Sequence, residues 1–463
     1  MTRVLFWNLQ TFGINKINNP YFNRRGAGIG GLTLQQASVM RRNLVGAILT
    51  AAAPDIIVLV EVASGDSYPD DLATNTDGWA GAVYLLNLLR AGNAGAGWRL
   101  VPPLRVGRTP GSKPETVAVF YKGVSGGVNR FFTGPNLWVG GANGHSTQPG
   151  VGVVGNAYPA ARSLNTMLVI PGNAARNIPG GALHNGGLAE NVVAARTRFR
   201  LSGAPAYWVD YQVYRPPYMV TFTEANAMGA VQRNLTLFGV HSPAVAGDPG
   251  TFIIYLQNTE DVVAALGANE TRVIGGDFNL SLLAANGGPS NVYAPLGPNY
   301  VPLLDSPGAP APANYSAYVG YFSTHIMRKP QSNTEASLFL WSDPNTNSPY
   351  PGYGYVGSRF VANFYSIDNI LVWPHQGPPY NYQTTILNPA VGAPFNQVLP
   401  TPNGAPQGTV ALGQQMTNAP VGWPPAPNAP RVQNIGGRNS LTGWNNYGYL
   451  YSTSDHFALV AVV

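Results

Sequence analysis

The sequence predicts a layered α/β fold, with a sheet packed against helices. Three observations carry that expectation. The predicted strands are short apolar runs of the buried kind, strands and helices alternate early in the chain, and later strands follow one another through loops. Val4 to Trp7 is the first such run, followed by the polar Asn8. Thr33 is a plausible N-cap for a helix to about Ala52, because Leu34, Ala37, Met40, Leu44 and Ile48 recur at three- and four-residue steps before Pro54 stops it. Ile56 to Val60 is the second strand, ending at Glu61. Thr116 to Tyr121, Tyr218 to Phe222 and Leu235 to Val240 follow as strands, then a helix over Thr251 to Leu266. Arg272 to Ile274 runs into Gly275-Gly276-Asp277, and Ile367 to Val372 and Phe457 to Val462 complete the set.

Composition bounds what such a fold can be. Apolar residues make up 45% of the 463-residue chain, enough for a sizeable core, while charged residues make up only 10%. Gly (55) and Pro (41) imply many ordered loops, yet fall short of the share of about 25–30% that marks low-complexity disorder. The net charge of +6 is a mild bias toward polyanions. The absence of cysteine excludes disulfides, thiolate metal sites and a cysteine nucleophile. No run approaches the roughly 18 apolar residues of a membrane span, and the N-terminal segment is too short and too aromatic for a leader. Three Gly/Pro/Asn-rich stretches, near 123–213, 282–362 and 374–450, read as insertions in one domain covering 1–463, because apolar and aromatic residues recur inside them. Pro374 to Pro430 reads as extended coil.

The chemistry gathers where strands end. Asn8, Glu61, Asp277, Asn279, Asp368, Asp455 and His456 all lie at or beside strand termini, where α/β folds collect binding groups. Carboxylates with one or two histidines and no thiolate suit a hard ion such as Mg²⁺ or Mn²⁺. Such an ion neutralises a phosphate and polarises it for attack by water, and a carboxylate-paired His supplies an acid or base near neutral pH.

Six segments in order then resemble the endonuclease/exonuclease/phosphatase superfamily: Trp7-Asn8-Leu9-Gln10, Pro54 through Glu61, Val240-His241-Ser242-Pro243, Gly276-Asp277-Phe278-Asn279, Ser366-Ile367-Asp368-Asn369-Ile370 and Ser454-Asp455-His456. Two more are similar to deoxyribonuclease I and the nuclease subunit of cytolethal distending toxin: Pro114-Glu115 leading into Thr116 to Tyr121, and Arg215-Pro216-Pro217. After Glu61, Val62-Ala63-Ser64 departs from deoxyribonuclease I by lacking its minor-groove arginine. The resemblance implies a four-layered α/β sandwich with long loop insertions, acting as a Mg²⁺- or Mn²⁺-dependent endonuclease on DNA, with Ca²⁺ as an additional structural ion. It further implies Glu61 as metal ligand with Asn8 and Asp455, and Asp277 with His456 orienting and deprotonating water. Asp368 would orient His456, Glu115 would orient His241 as proton donor to the leaving oxygen, Asn279 would bond the transition state, and Asn8 and Arg215 would contact substrate. Which histidine is acid and which base stays open.

The remaining basic clusters, Arg24-Arg25, Arg41-Arg42 and Arg196 to Arg200, are candidate backbone contacts, the second on a predicted helix and so better read as a solvated face. His145, His184, His325 and His375 lie in the insertions and receive no role. A phospholipid or inositol-phosphate phosphodiesterase would keep the same chemistry, and an inactive binding scaffold is the reading from another class. A monomer is expected; the delivery route, location and any immunity partner stay open.

Overall fold

The computed structural model describes residues 2–18, 45–46, 48–49, 52–64, 76–92, 97–101, 105–107, 113–125, 128–129, 131–133, 160–163, 198–200, 208–210, 214–225, 231–244, 249–267, 269–280, 290–304, 324–326, 340–343, 348–353, 364–365, 367–375, 383–387, 409–411 and 454–463. Most of the three stretches read as insertions, and the clusters at Arg24-Arg25 and Arg41-Arg42, lie outside them.

Two mixed sheets face each other. In the first, β1 (Arg3–Phe12) is central, parallel to β2 (Ile56–Ala63) on one side and antiparallel to β11 (Ala458–Val462) on the other. Beyond β2 come β4 (Glu115–Lys122) and β3 (Trp98–Val101); beyond β11 come β10 (Gln383–Leu387) and Thr409–Ala411. The last two fall in the segment expected to be coil and instead extend the sheet, β10 paired on both sides and Thr409–Ala411 at the end of the order. In the second sheet β6 (Val231–His241) and β7 (Glu270–Asp277) are the parallel central pair. They are flanked by β5 (Tyr218–Ala225) and β9 (Asp368–Trp373), both antiparallel, and the short β8 (Val301–Pro302) pairs with β9.

Alternation along β1 sets the layers. Leu5, Trp7 and Leu9 join Ile57, Leu59, Ala118 and Phe120 in a core under helix α2 (Asp77–Gly92), whose Ala82, Leu85 and Leu86 are buried against them. Phe6 points the other way, into the gap between sheets, where a Cβ on Gly275 would lie 2.6 Å from its ring. Only hydrogen fits there, so the sheets close tightly at this point. Tyr121 and Phe222 meet edge to face across the same gap at 5.1 Å. The outer face of the second sheet carries α3 (Pro249–Gln257) and α4 (Glu260–Val263), tied to β7 by Arg272, whose guanidinium donates to the carbonyls of Val262, Ala264 and Ala265. Helix, sheet, sheet, helix is the four-layered sandwich.

Two helical regions also depart from expectation. The helix predicted over Thr251 to Leu266 is two helices, because Asn258 and Thr259 turn their side chains onto the carbonyls of Ile254 and Tyr255 and interrupt the ladder. Helix α2 has no counterpart in the sequence reading. Of the predicted Thr33–Ala52 helix, residues 45–46, 48–49 and 52 are described and are helical.

Strand ends decide what faces the site. Register slips between Asn8 and Phe12 in β1, and between Leu59 and Val62 opposite β4, mark bulges at the carboxyl ends of the two parallel neighbours. Gln10, Thr11 and Glu61 there have φ of 45°, 54° and 59°. Positive φ costs a non-glycine residue, and bulges commonly re-aim side chains beside active sites. The buried Lys16 ammonium, on α1 (Ile14–Asn18), holds the first bulge through the carbonyls of Leu9 and Gln10.

Candidate active site

Asp277 is the hub, at the end of β7. Its Oδ1 accepts the amide of Asn279 at 2.9 Å, while Oδ2 accepts Asn8 Nδ2 at 3.1 Å. The same Oδ2 lies 3.6 Å from His241 Nε2 and 3.5 Å from His456 Nε2. Gly276, just before it, has φ of 136°, and a Cβ there would strike the Val240 carbonyl, so the turn into Asp277 needs glycine.

Each imidazole is backed by a carboxylate. His241 Nδ1 sits 2.7 Å from Glu115 Oε2, and His456 Nδ1 lies 2.9 Å from Asp368 Oδ2. An ionised carboxylate only accepts, so each pair places a proton on Nδ1 and turns Nε2 to Asp277. Burial pulls the His456 pKa down, but Asp368, Asp277 and Asp455 outweigh it and raise it to about 10. For His241, burial and Arg215 pull down while Glu115 and Asp277 raise, and the net shift is upward.

Asp455 closes the site from the other side. Its Oδ2 accepts Gln10 Nε2 at 2.6 Å, and its Oδ1 lies 3.8 Å from His456 Nε2. Asn8 is engaged at both ends of its amide, since Oδ1 accepts the Gln10 amide at 2.8 Å. Ser454 ties this corner together: its hydroxyl donates to the Asn8 carbonyl and accepts the His456 amide. Glu61 accepts the Thr11 hydroxyl at 3.2 Å. Burial pushes its carboxyl pKa up, and Glu115 and Asp455 add to this against the pull of His241 and His456. Burial raises Asp368 as well, opposed by His456.

All the residues expected from sequence therefore meet at one mouth of the sandwich, with a change of position for Arg215. Only 5% exposed, it forms an ion pair with Glu115 Oε1 at 3.0 Å and donates to the His241 carbonyl at 3.0 Å. It stands behind Glu115 and His241 rather than presenting an open guanidinium. Asn279, with φ of 51°, donates its side-chain amide to the Ser242 carbonyl at 3.0 Å.

Three residues here were not singled out by the sequence. Gln10 orients Asp455. Thr324 accepts the amides of Ile367 and Asp368 at 3.0 and 2.9 Å. His325, assigned no role, lies with its ring centroid 4.4 Å from that of His456 and Nε2 3.8 Å from Asp455 Oδ2. A Ser-Thr-His-Ile run inside an insertion gives no spacing signal for this; the pairing of His325–Ile326 with Phe364–Tyr365 and the bridge from His325 to His456 bring it in.

The donor set fits a divalent cation. Glu61, Asp455, Asp277, Asp368 and Glu115 crowd negative charge into one buried mouth, and among the described residues two groups can each converge on one ion: His325 with Asp455 and His456, and Asp277 with Asp368 and His456. In the second group Asp368 is already committed to His456 Nδ1.

No family model matches this chain, and no curated protein does. Solved structures with similar folds include an endonuclease/exonuclease/phosphatase family protein from Leptotrichia buccalis, at 10% identity and a TM-score of 0.38, covering 100% of this chain and 99% of that one. The human Nocturnin catalytic domain with bound sulfate is 12% identical over 99% of this chain and 93% of that one, with a TM-score of 0.37. A truncated TDP2 from Caenorhabditis elegans is 9% identical over 99% and 96%, also at 0.37. These are loose superpositions.

Proposed function

We propose that this chain is a divalent-metal-dependent phosphodiesterase of the endonuclease/exonuclease/phosphatase type, acting as an endonuclease on DNA. The observation that carries the chemistry is the arrangement around Asp277 Oδ2, which faces the Nε2 atoms of two carboxylate-backed imidazoles at 3.6 and 3.5 Å. A carboxylate between two proton-bearing rings is suited to take a proton from water while the rings hand protons to phosphate oxygens.

Glu61 and Asp455 are the residues proposed to hold the ion, which when bound would offset phosphate charge and the crowding of carboxylates. Asp277 orients the attacking water and accepts its proton at Oδ2, helped by Asn8 Nδ2, which fixes that oxygen. His456, kept in one tautomer by Asp368, binds the same water or an adjacent phosphate oxygen through Nε2. His241, backed by Glu115, donates from Nε2 toward the leaving oxygen. Asn279 holds the loop after Asp277 and is placed to bond a phosphate oxygen. Arg215 acts through Glu115 and His241, fixing their orientation and moderating the negative charge that His241 sees.

DNA is favoured as substrate by the ordered resemblance of the strand-end segments and by the net charge of +6. No described helix is long and apolar enough to cross a membrane. The test is nicking of supercoiled plasmid with Mg²⁺ or Mn²⁺, beside EDTA and His456→Ala controls. Nicking lost in both controls supports the proposal. Intact plasmid, with release of phosphocholine or inositol phosphates from lipid substrates, would replace DNA by a phospholipid or inositol-phosphate substrate.

A further inference from the structure

We propose that His325, Asp455 and His456 form a binding site for a single nitrogen-preferring transition-metal dication of the Zn²⁺ class, sharing the Asp455 carboxylate with the Glu61 and Asp455 pair proposed to hold the hydrolase ion. The site shares Asp455 and His456 with the proposed hydrolase centre, but ion binding can be read without any substrate.

The donor chemistry comes first. Two imidazole nitrogens and one carboxylate are a poor set for Mg²⁺, which prefers oxygen and keeps its waters, and a good one for Zn²⁺, Co²⁺ or Ni²⁺. The three donor atoms lie within 4.8 Å of one another. His325 Nε2 and His456 Nε2 each stand 3.8 Å from an oxygen of Asp455, one from Oδ2 and the other from Oδ1. Ligands at Zn²⁺ bond lengths in a tetrahedral site are separated by about 3.4 Å, so small rotamer shifts close the set.

The supporting contacts are those a metal site needs. Asp368 on His456 Nδ1 leaves Nε2 as the ligating nitrogen, which gives up its proton to solvent as the ion binds, and Gln10 on Asp455 Oδ2 fixes the carboxylate at 2.6 Å. The backbone that carries His325 is tied on both sides. Thr324 Oγ1 accepts the amides of Ile367 and Asp368, its carbonyl accepts the Phe457 amide at 2.7 Å, and the backbone of His325 forms an antiparallel bridge with that of His456. A residue needed only to cover His456 could be any apolar or aromatic one. Histidine adds a nitrogen donor turned toward the same carboxylate.

The experiment is calorimetric titration of untagged, chelator-stripped protein with Zn²⁺ in excess Mg²⁺, comparing wild type with His325→Ala, beside Co²⁺ absorption spectra of wild type. One Zn²⁺ equivalent that Mg²⁺ does not displace, weakened at least about tenfold in a His325→Ala variant with wild-type circular dichroism, is the expected result. Equal Zn²⁺ affinity in the two proteins overturns the proposal. Should His325→Ala fail to fold, the wild-type Co²⁺ spectrum decides: ligand-field bands of nitrogen-coordinated Co²⁺ support the site, and their absence overturns it. Either overturning result leaves plasmid nicking, measured separately, unaffected.

Discussion

His241 and His456 reach the same oxygen of Asp277 from opposite sheets, 3.6 and 3.5 Å away, each with Nδ1 on a carboxylate. They differ in what stands behind that carboxylate. Glu115 shares its charge with Arg215, whereas Asp368 has the Thr324 hydroxyl and the Asp277 carboxylate beside it. The same dyad is thereby tuned in two ways. His456 is driven to about 10, while Arg215 holds back the rise at His241. Two imidazoles of one design thus sit in different electrostatic surroundings, three aspartates acting on His456 and an arginine opposing the carboxylates at His241.

Removing the oxygen they share should have the largest effect. Asp277→Asn is expected to lower kcat/KM for plasmid nicking by about 10⁴-fold, the upper range for a positioned acid or base. Next, His456→Ala is expected to cost about 10³-fold and His241→Ala about 10²-fold, both within that range. A reversed order in the same assay would mean that the more exposed dyad is the dominant one.

Arg215→Met sharpens the comparison from the other side. We expect a loss of roughly 10–100-fold, the scale of a misplaced catalytic group. Because Arg215 lowers the His241 pKa, the pH–rate limb assigned to His241 should move to higher pH in this variant. A limb that stays in place would show that the arginine only packs.

The smallest effect is on stability. His456 has a folded-state pKa above the ordinary 6.5, so its proton stabilises the fold below that value, and the contribution is lost as pH rises from about 6.5 to about 10. Asp368→Asn removes the principal cause. The difference in unfolding free energy between wild type and Asp368→Asn, on the order of a few kcal/mol near pH 6.5, should therefore shrink toward pH 10 in urea melts.

The eight strands expected from sequence were legible because each is a buried apolar run, and the site because most of its side chains terminate such runs, whereas Gln383–Leu387 and Thr409–Ala411 lie in a stretch read as coil. Helix α2 was not, for a reason visible in its packing. A Cβ on Gly78 would strike the Ala63 carbonyl at 2.2 Å, and one on Gly81 would meet Gly13 at 2.8 Å. The glycines that let this helix approach the sheet are the residues that weaken its helical signal. Arg215 was legible as a basic residue beside the site, but sequence cannot show which way a guanidinium turns once Glu115 is within reach. Gln10 and His325 were illegible for different reasons. Gln10 is aimed by a bulge whose positive φ values leave no mark in a Gln-Thr pair, and His325 depends on a strand pairing from deep within a Gly/Pro-rich stretch.

The contacts that join the first strand to the last carry a consequence for timing. The Trp7 indole donates to the His456 carbonyl, Ser454 caps the Asn8 carbonyl, and β11 lies along β1 across some 450 residues of sequence. During synthesis, the strand that brings Asp455 and His456 leaves the ribosome after every other described element. Until it docks, Asp277 faces one imidazole and not two. A chain still lacking this strand carries most of the described fold without the Asp277–His456 contact, and under the proposed function it stays inert until that strand docks.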